Sequence, residues 1–168
     1  CLQETRWKSN GVCHINSENE KYKLFSNGQK KAKNGVGIFV KEPLAQEVLD
    51  IKRINSRLMW IKLRLKNQTM TIFSAYAPQT GESKGMKNDL WAAFFDTIST
   101  IPKSETILIG DDLYGHVGEK TDGFDNVHGG FGYGERNKEG NRILEFTESH
   151  GFCLLNTYFR ERLEHLIR

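Results

Sequence analysis

The chain has 168 residues, 38% hydrophobic and 27% charged, the make-up of one globular domain, which excludes a disordered or fibrous chain. Its 24 Lys and Arg against 21 Asp and Glu leave a net charge of +3, which permits a phosphate-bearing partner without demanding one. Cys1, Cys13 and Cys153 form no CxxC pair, and no apolar run approaches the roughly 20 residues that cross a bilayer. These features exclude a disulfide scaffold and predict an intracellular protein with free thiols and no membrane anchor.

The chain opens on Cys1-Leu2-Gln3-Glu4, which reads as the last residues of a strand and, with no methionine, as a fragment. A polar region bearing glycine and lysine runs to about Asn34, followed by a β-type run from Gly35 to Val40 that Lys41-Glu42-Pro43 ends. Ile61, Leu63 and Leu65 alternate with Lys62, Arg64 and Lys66, and Asn67-Gln68 turns the chain into Thr69 to Ala75. That pattern predicts a hairpin with one buried and one wet face. Tyr76-Ala77-Pro78 stops its second strand. Leu90, Trp91, Phe94, Phe95, Ile98 and Ile101 recur every three or four residues, the stripe of an amphipathic helix closed by Pro102.

Thr106 to Ile109 is apolar on both faces and reads as a central strand. It runs into Gly110-Asp111-Asp112-Leu113-Tyr114-Gly115-His116-Val117-Gly118, and a strand's carboxyl end is where α/β proteins keep their chemistry. Gly118 to Gly140 reads as a long surface loop. Ile143, Leu144 and Phe146 fit a short helix ending at His150-Gly151, and Phe152 to Leu155 begins a further strand. No repeat or second domain is evident, so residues 1–168 are expected to form one partial domain.

Glu4, Tyr76, and Asp112 with His116 all fall at strand ends. Carboxylates from separate strands can share Mg²⁺, a hard cation that keeps waters for a phosphate substrate. Taken singly, each has an ordinary structural reading: Glu4 as a surface glutamate, Tyr76 as a packing residue, Asp112 as a turn cap, His116 as a loop hydrogen-bond donor. His128 and His165 have no established place in a cleft. Gly129 to Gly134 lacks the Lys-Ser/Thr of a phosphate-binding loop and reads as a flexible loop. Lys30, Lys31 and Lys33, and Arg160 and Arg162, read as solvated charge rather than phosphate contacts. Trp91 and Phe94 read as helix core rather than a base-stacking platform.

Leu2-Gln3-Glu4-Thr5-Arg6-Trp7, Ser74-Ala75-Tyr76-Ala77-Pro78-Gln79, Gly110 through Gly118 and Asn141 to Phe159 together resemble the endonuclease/exonuclease/phosphatase superfamily. The version is that of LINE-type retrotransposon endonucleases and the related craniofacial development proteins. The resemblance implies a four-layered α/β sandwich, two packed mixed sheets flanked by helices and truncated at both ends, derived from a Mg²⁺-dependent (or Mn²⁺-dependent) DNA endonuclease of the nucleus. It implies Glu4 as metal ligand, Tyr76 at the scissile phosphate, and Asp112 as the group that orients or deprotonates the attacking water. DNA, through its phosphate backbone, is the implied partner.

Gly115-His116 sets the register of the motif, so that Asp111 stands where the family has glycine and Tyr114 where it has an asparagine that donates to the phosphate. An early asparagine-bearing strand and later aspartate and Ser-Asp-His segments are not found. The alternative is therefore a catalytically inactive remnant that binds nucleic acid or a protein. A third reading, a phosphorylated small molecule or lipid as substrate, is disfavoured by the wording of the Glu4 and Tyr76 segments. Missing sheet neighbours predict poor solubility or oligomerisation.

Overall fold

A computed structural model describes residues 1–17, 19–30, 33–79 and 81–160. The readings of Lys31, Arg162 and His165 fall outside the described residues. The chain divides into two compact units, one from Cys1 to Asp112 and one beginning at Leu113.

The first unit carries two sheets. β1 (Gly11–Ser17), β2 (Glu20–Asn27) and β3 (Val36–Lys41) form an antiparallel sheet in that order. β4 (Val48–Asn55), β5 (Leu58–Leu65), β6 (Gln68–Tyr76) and β7 (Thr106–Asp112) form a mixed sheet, antiparallel except for the β6–β7 pair. The hairpin read from the alternation is β5–β6, with Lys66 in the left-handed region at its turn. Ile61 and Leu63 are buried while Arg64 is exposed, as that alternation demands.

α1 (Lys84–Ser99) starts on Ser83, whose hydroxyl accepts from the Met86 N–H, a cap of the kind worth about 1 kcal/mol. Its Leu90, Phe94 and Ile98 are buried, with the Phe94 ring 5.9 Å from that of Phe73 on β6. Phe95 departs from the expected stripe. It is exposed, and Thr97 takes the buried position. The other face of the mixed sheet meets β3 and the opening segment, where Ser74 Oγ donates to the Leu2 carbonyl at 3.1 Å. Between the sheets, buried Asn27 donates to the carbonyls of Asn55 and Leu58, and Arg53 donates to those of Ser26 and Gly11. The two packed sheets with α1 against one of them make the α/β sandwich expected from the sequence. The β1–β3 sheet is wholly antiparallel where two mixed sheets were expected, and the described residues contain only two α-helices.

β7 is not central: it ends the strand order among the described residues, and Leu108 is exposed. Its apolar run therefore did not signal burial on both faces. The polar region before Asn34 is also more ordered than its composition suggests, since it contains the β1–β2 hairpin.

In the second unit, α2 (Lys138–Ser149) is capped by the Asn137 side chain, which accepts from the Gly140 N–H. It ends at His150 with Gly151 in the left-handed conformation, as read. The predicted strand at Phe152–Leu155 is a single bridge from Leu154 to His128, followed by a 3-10 turn at Leu155–Tyr158. The three cysteines are free thiols, and no helix among the described residues is long and apolar enough to cross a membrane.

Candidate active site

The opening segment is laid along β3 by backbone bonds. Leu2 and Gly37 exchange both N–H groups, Thr5 donates to the Gly35 carbonyl, and Arg6 donates to that of Asn34 at 2.8 Å. Gln3 Nε2 reaches the Gly110 carbonyl at 3.3 Å. These bonds bring Glu4 to the carboxyl ends of β6 and β7. Glu4 and Arg6 both have positive φ, 48° and 53°, a conformation that costs side-chain-bearing residues and is held here by the flanking bonds.

The Glu4 carboxylate accepts a hydrogen bond from the Arg6 guanidinium, with which it forms an ion pair. That bond is the first cause holding the Glu4 carboxyl below the usual carboxylate range. Loss of solvation opposes it, and the Arg6 charge and a hydrogen bond with Tyr76 reinforce it. Tyr76 is buried, and its hydroxyl also accepts from Gln79 Nε2 at 3.3 Å.

Tyr76 and Asp112 are register partners in the parallel β6–β7 pair, and the Ala77 N–H donates to the Asp112 carbonyl at 2.8 Å. Alternation along a strand then separates the two aspartates. Ser74 and Gly110 are partners on the face covered by the opening segment, where a Cβ at Gly110 would meet Cys1 Sγ at 2.6 Å. Asp112, two residues on, shares that face with Tyr76. Asp111 shares the opposite face with Ala75 and Phe73, the side that carries α1. Desolvation first, and the neighbouring Asp112 charge second, push the Asp111 pKa up to about 6. Its side chain still meets solvent, which screens part of that effect.

Arg57 and Glu82 were not singled out by sequence reasoning. Arg57 lies in the turn between β4 and β5, and a lone arginine before an apolar run gives no sign that it is buried. It is 7% exposed, with Nη1 donating to the Ala77 carbonyl at 2.9 Å and Nη2 to Glu82 Oε2 at 2.6 Å. Its guanidinium stands 5.2 Å from the centre of the Tyr76 ring.

Hard oxygen donors such as the Glu4 carboxylate suit Mg²⁺, which commonly uses one or two protein carboxylates and completes its shell with water and phosphate. Among the described residues no group of three or more His, Cys, Asp and Glu is arranged to hold a metal ion. Glu4 would have to exchange Arg6 for the cation.

Tyr114 and His116 belong to the second unit. Tyr114 has φ 50°, in the left-handed region. His116 is exposed and is bound through its backbone: its N–H donates to Asn137 Oδ1 and its carbonyl accepts from the Asn137 N–H. The α2 cap therefore grips this segment, and a Cβ at Gly140 would stand 1.8 Å from the His116 carbonyl oxygen. His128 is a structural residue. It is 1% exposed, its Nδ1 accepts from the Gly130 N–H, and its Nε2 lies 3.0 Å from the Gly118 carbonyl, which fixes the proton on Nε2. With Arg136, which donates to the carbonyls of Val117, Lys120 and Thr121, it holds the long loop from within. Lys33 pairs with Glu82 at 3.4 Å, while Lys30 and Arg160 are exposed.

No protein-family model matches the sequence. Craniofacial development protein 2 of Bos taurus is 23% identical over 160 residues, covering 95% of this chain and 26% of that protein. The Tragulus javanicus protein of the same name is 22% identical, covering 95% of this chain and 27% of its own length. The chain thus spans about a quarter of these relatives. Among solved structures, the endonuclease domain of TRAS1, a telomere-specific non-LTR retrotransposon, superposes with a TM-score of 0.50 at 12% identity, covering 77% of this chain and 52% of that one. The chain is thus similar along 95% of its length to the craniofacial development protein 2 sequences, and it shares the α/β fold of the TRAS1 endonuclease domain over the part that superposes.

Proposed function

We propose that this chain is part of a DNA endonuclease domain that hydrolyses phosphodiesters with the help of a divalent cation. The observation that carries this reading is the gathering of Glu4, Tyr76 and Asp112 at one end and on one face of the mixed sheet, from three separated segments. Asp112 accepts the proton of a water that attacks the phosphorus. Tyr76 donates its hydroxyl hydrogen to a phosphate oxygen as negative charge grows there. Glu4 is the carboxylate that would hold Mg²⁺ or Mn²⁺, which would supply charge neutralisation at the phosphate. Tyr114 and His116 occupy family positions by sequence; tyrosine lacks the amide that would donate at that place. DNA is engaged through its phosphates, and a nuclear location follows from that substrate.

A supercoiled-plasmid assay tests this directly: Mg²⁺-dependent conversion to the nicked form that EDTA stops supports it, and no nicking above background removes it. A second reading, a catalytically silent module that binds nucleic acid or protein, is favoured by the Arg6 guanidinium on the Glu4 carboxylate and by Tyr114. Retention of DNA on a filter without nicking would select it.

A further inference from the structure

Arg57 stands out among the buried groups of the first unit because a cation removed from water is costly unless several partners meet it. Glu82 supplies one partner and the Ala77 carbonyl another, while the flat guanidinium covers the ring of Tyr76. The contacts continue around a closed path. The Arg57 carbonyl accepts from the Tyr76 N–H at 2.9 Å, Glu82 Oε2 accepts from the Gln79 N–H at 3.2 Å, and Gln79 Nε2 returns to the Tyr76 hydroxyl. Both ends of the Tyr76 side chain are therefore fixed by groups that Arg57 organises: the ring directly, the hydroxyl through Glu82 and Gln79.

We infer that Arg57 is a positioning residue for Tyr76, holding its hydroxyl between Glu4 and Gln79 so that it meets the substrate phosphate without a search of rotamers. This rests on the reading of Tyr76 as the phosphate-facing hydroxyl. Arginine is specifically suited, because a lysine ammonium cannot stack on the ring while bonding a carbonyl and a carboxylate in one plane. A misplacement of this kind lowers turnover more than substrate affinity.

The test uses the full chain with ¹³C-labelled tyrosine, the Tyr76 ring resonance being assigned by its loss in Tyr76→Phe. Arg57→Met is expected to shift that resonance toward the free-tyrosine position and to lower kcat for plasmid nicking about tenfold with KM changed less than about twofold. Arg57→Lys should fall between the two and decides the matter if Arg57→Met does not fold. Leu63→Val, a core change at the far end of β5, should lower Tm without moving the resonance. An unmoved Tyr76 resonance in a folded Arg57 variant, or an equal shift in Leu63→Val, overturns the inference. If the chain nicks no DNA, the nuclease reading fails on its own while the resonance still decides the role of Arg57.

Discussion

Asp111 and Asp112 are neighbours in sequence and leave β7 on opposite faces: Asp112 beside Tyr76 on the face that carries the opening segment, Asp111 beside Ala75 on the side of α1. Asp112 is available to the candidate site, and Asp111 is a charge turned away from it that has lost part of its solvation.

Asp111 gives a pH-dependent stability. Its folded-state pKa is raised from 3.8 to about 6, so the folded chain holds this proton more tightly than the unfolded chain does. Stability therefore falls as pH rises from about 4 to about 6, and the full cost is present above 6. Asp111→Asn should stabilise the protein at pH 8 by about 1 kcal/mol, less than the full shift implies because solvent screens the group, with little gain below pH 4. Thermal melts of both proteins at the two pH values check this; an equal gain at both would contradict it.

Tyr114 adopts φ 50°, which asparagine tolerates and tyrosine resists. Tyr114→Asn should relieve about 1 kcal/mol of backbone strain, partly offset by the tyrosine's lost contacts, whereas Tyr114→Ala keeps the strain and loses the contacts. Urea unfolding should place the asparagine variant above the alanine variant. The reverse order would show that the side chain, not the backbone, governs this position.

His128→Ala leaves the Gly118 carbonyl and the Gly130 N–H without their partner and opens a hole in the second unit. Such losses cost about 2–4 kcal/mol. Amide exchange should accelerate at residues 118–130, and unchanged protection there would count against a structural role.

The Arg6–Glu4 pair is exposed, so it competes with a cation only weakly. Arg6→Ala is expected to lower the Mg²⁺ concentration needed for half-maximal nicking, by no more than about fivefold. A higher requirement would mean that Arg6 assists the site instead of blocking it.

The β5–β6 hairpin and both helices were legible from their periods and end signals: Ile61 and Leu63 alternating with Lys62 and Arg64, Leu90, Phe94 and Ile98 at helical spacing, Gly151 past a helix end; the Ser83 and Asn137 caps emerged only from the structure. β4 was hidden by register shifts between Val48 and Asp50 and between Arg53 and Asn55, which break the two-residue period. β1 was hidden by exposure, since Val12 on an outer strand faces solvent and leaves no apolar stripe. Leu108 misled in the opposite direction, being apolar and exposed. Of the candidate site, the placement of Glu4, Tyr76 and Asp112 at strand ends was legible from motif order, and the structure adds that Tyr76 pairs in register with Asp112 and bonds Glu4. Arg57 and Glu82 were not, because only tertiary folding brings a turn arginine and a loop glutamate together around Tyr76.

The most direct test of the central claim compares Asp112→Asn with Asp111→Asn in Mg²⁺-dependent nicking of supercoiled plasmid, with folding checked by circular dichroism. The account requires Asp112→Asn to abolish nicking and Asp111→Asn to retain it. Equal activity in the two variants, or nicking that survives in Asp112→Asn, would contradict it.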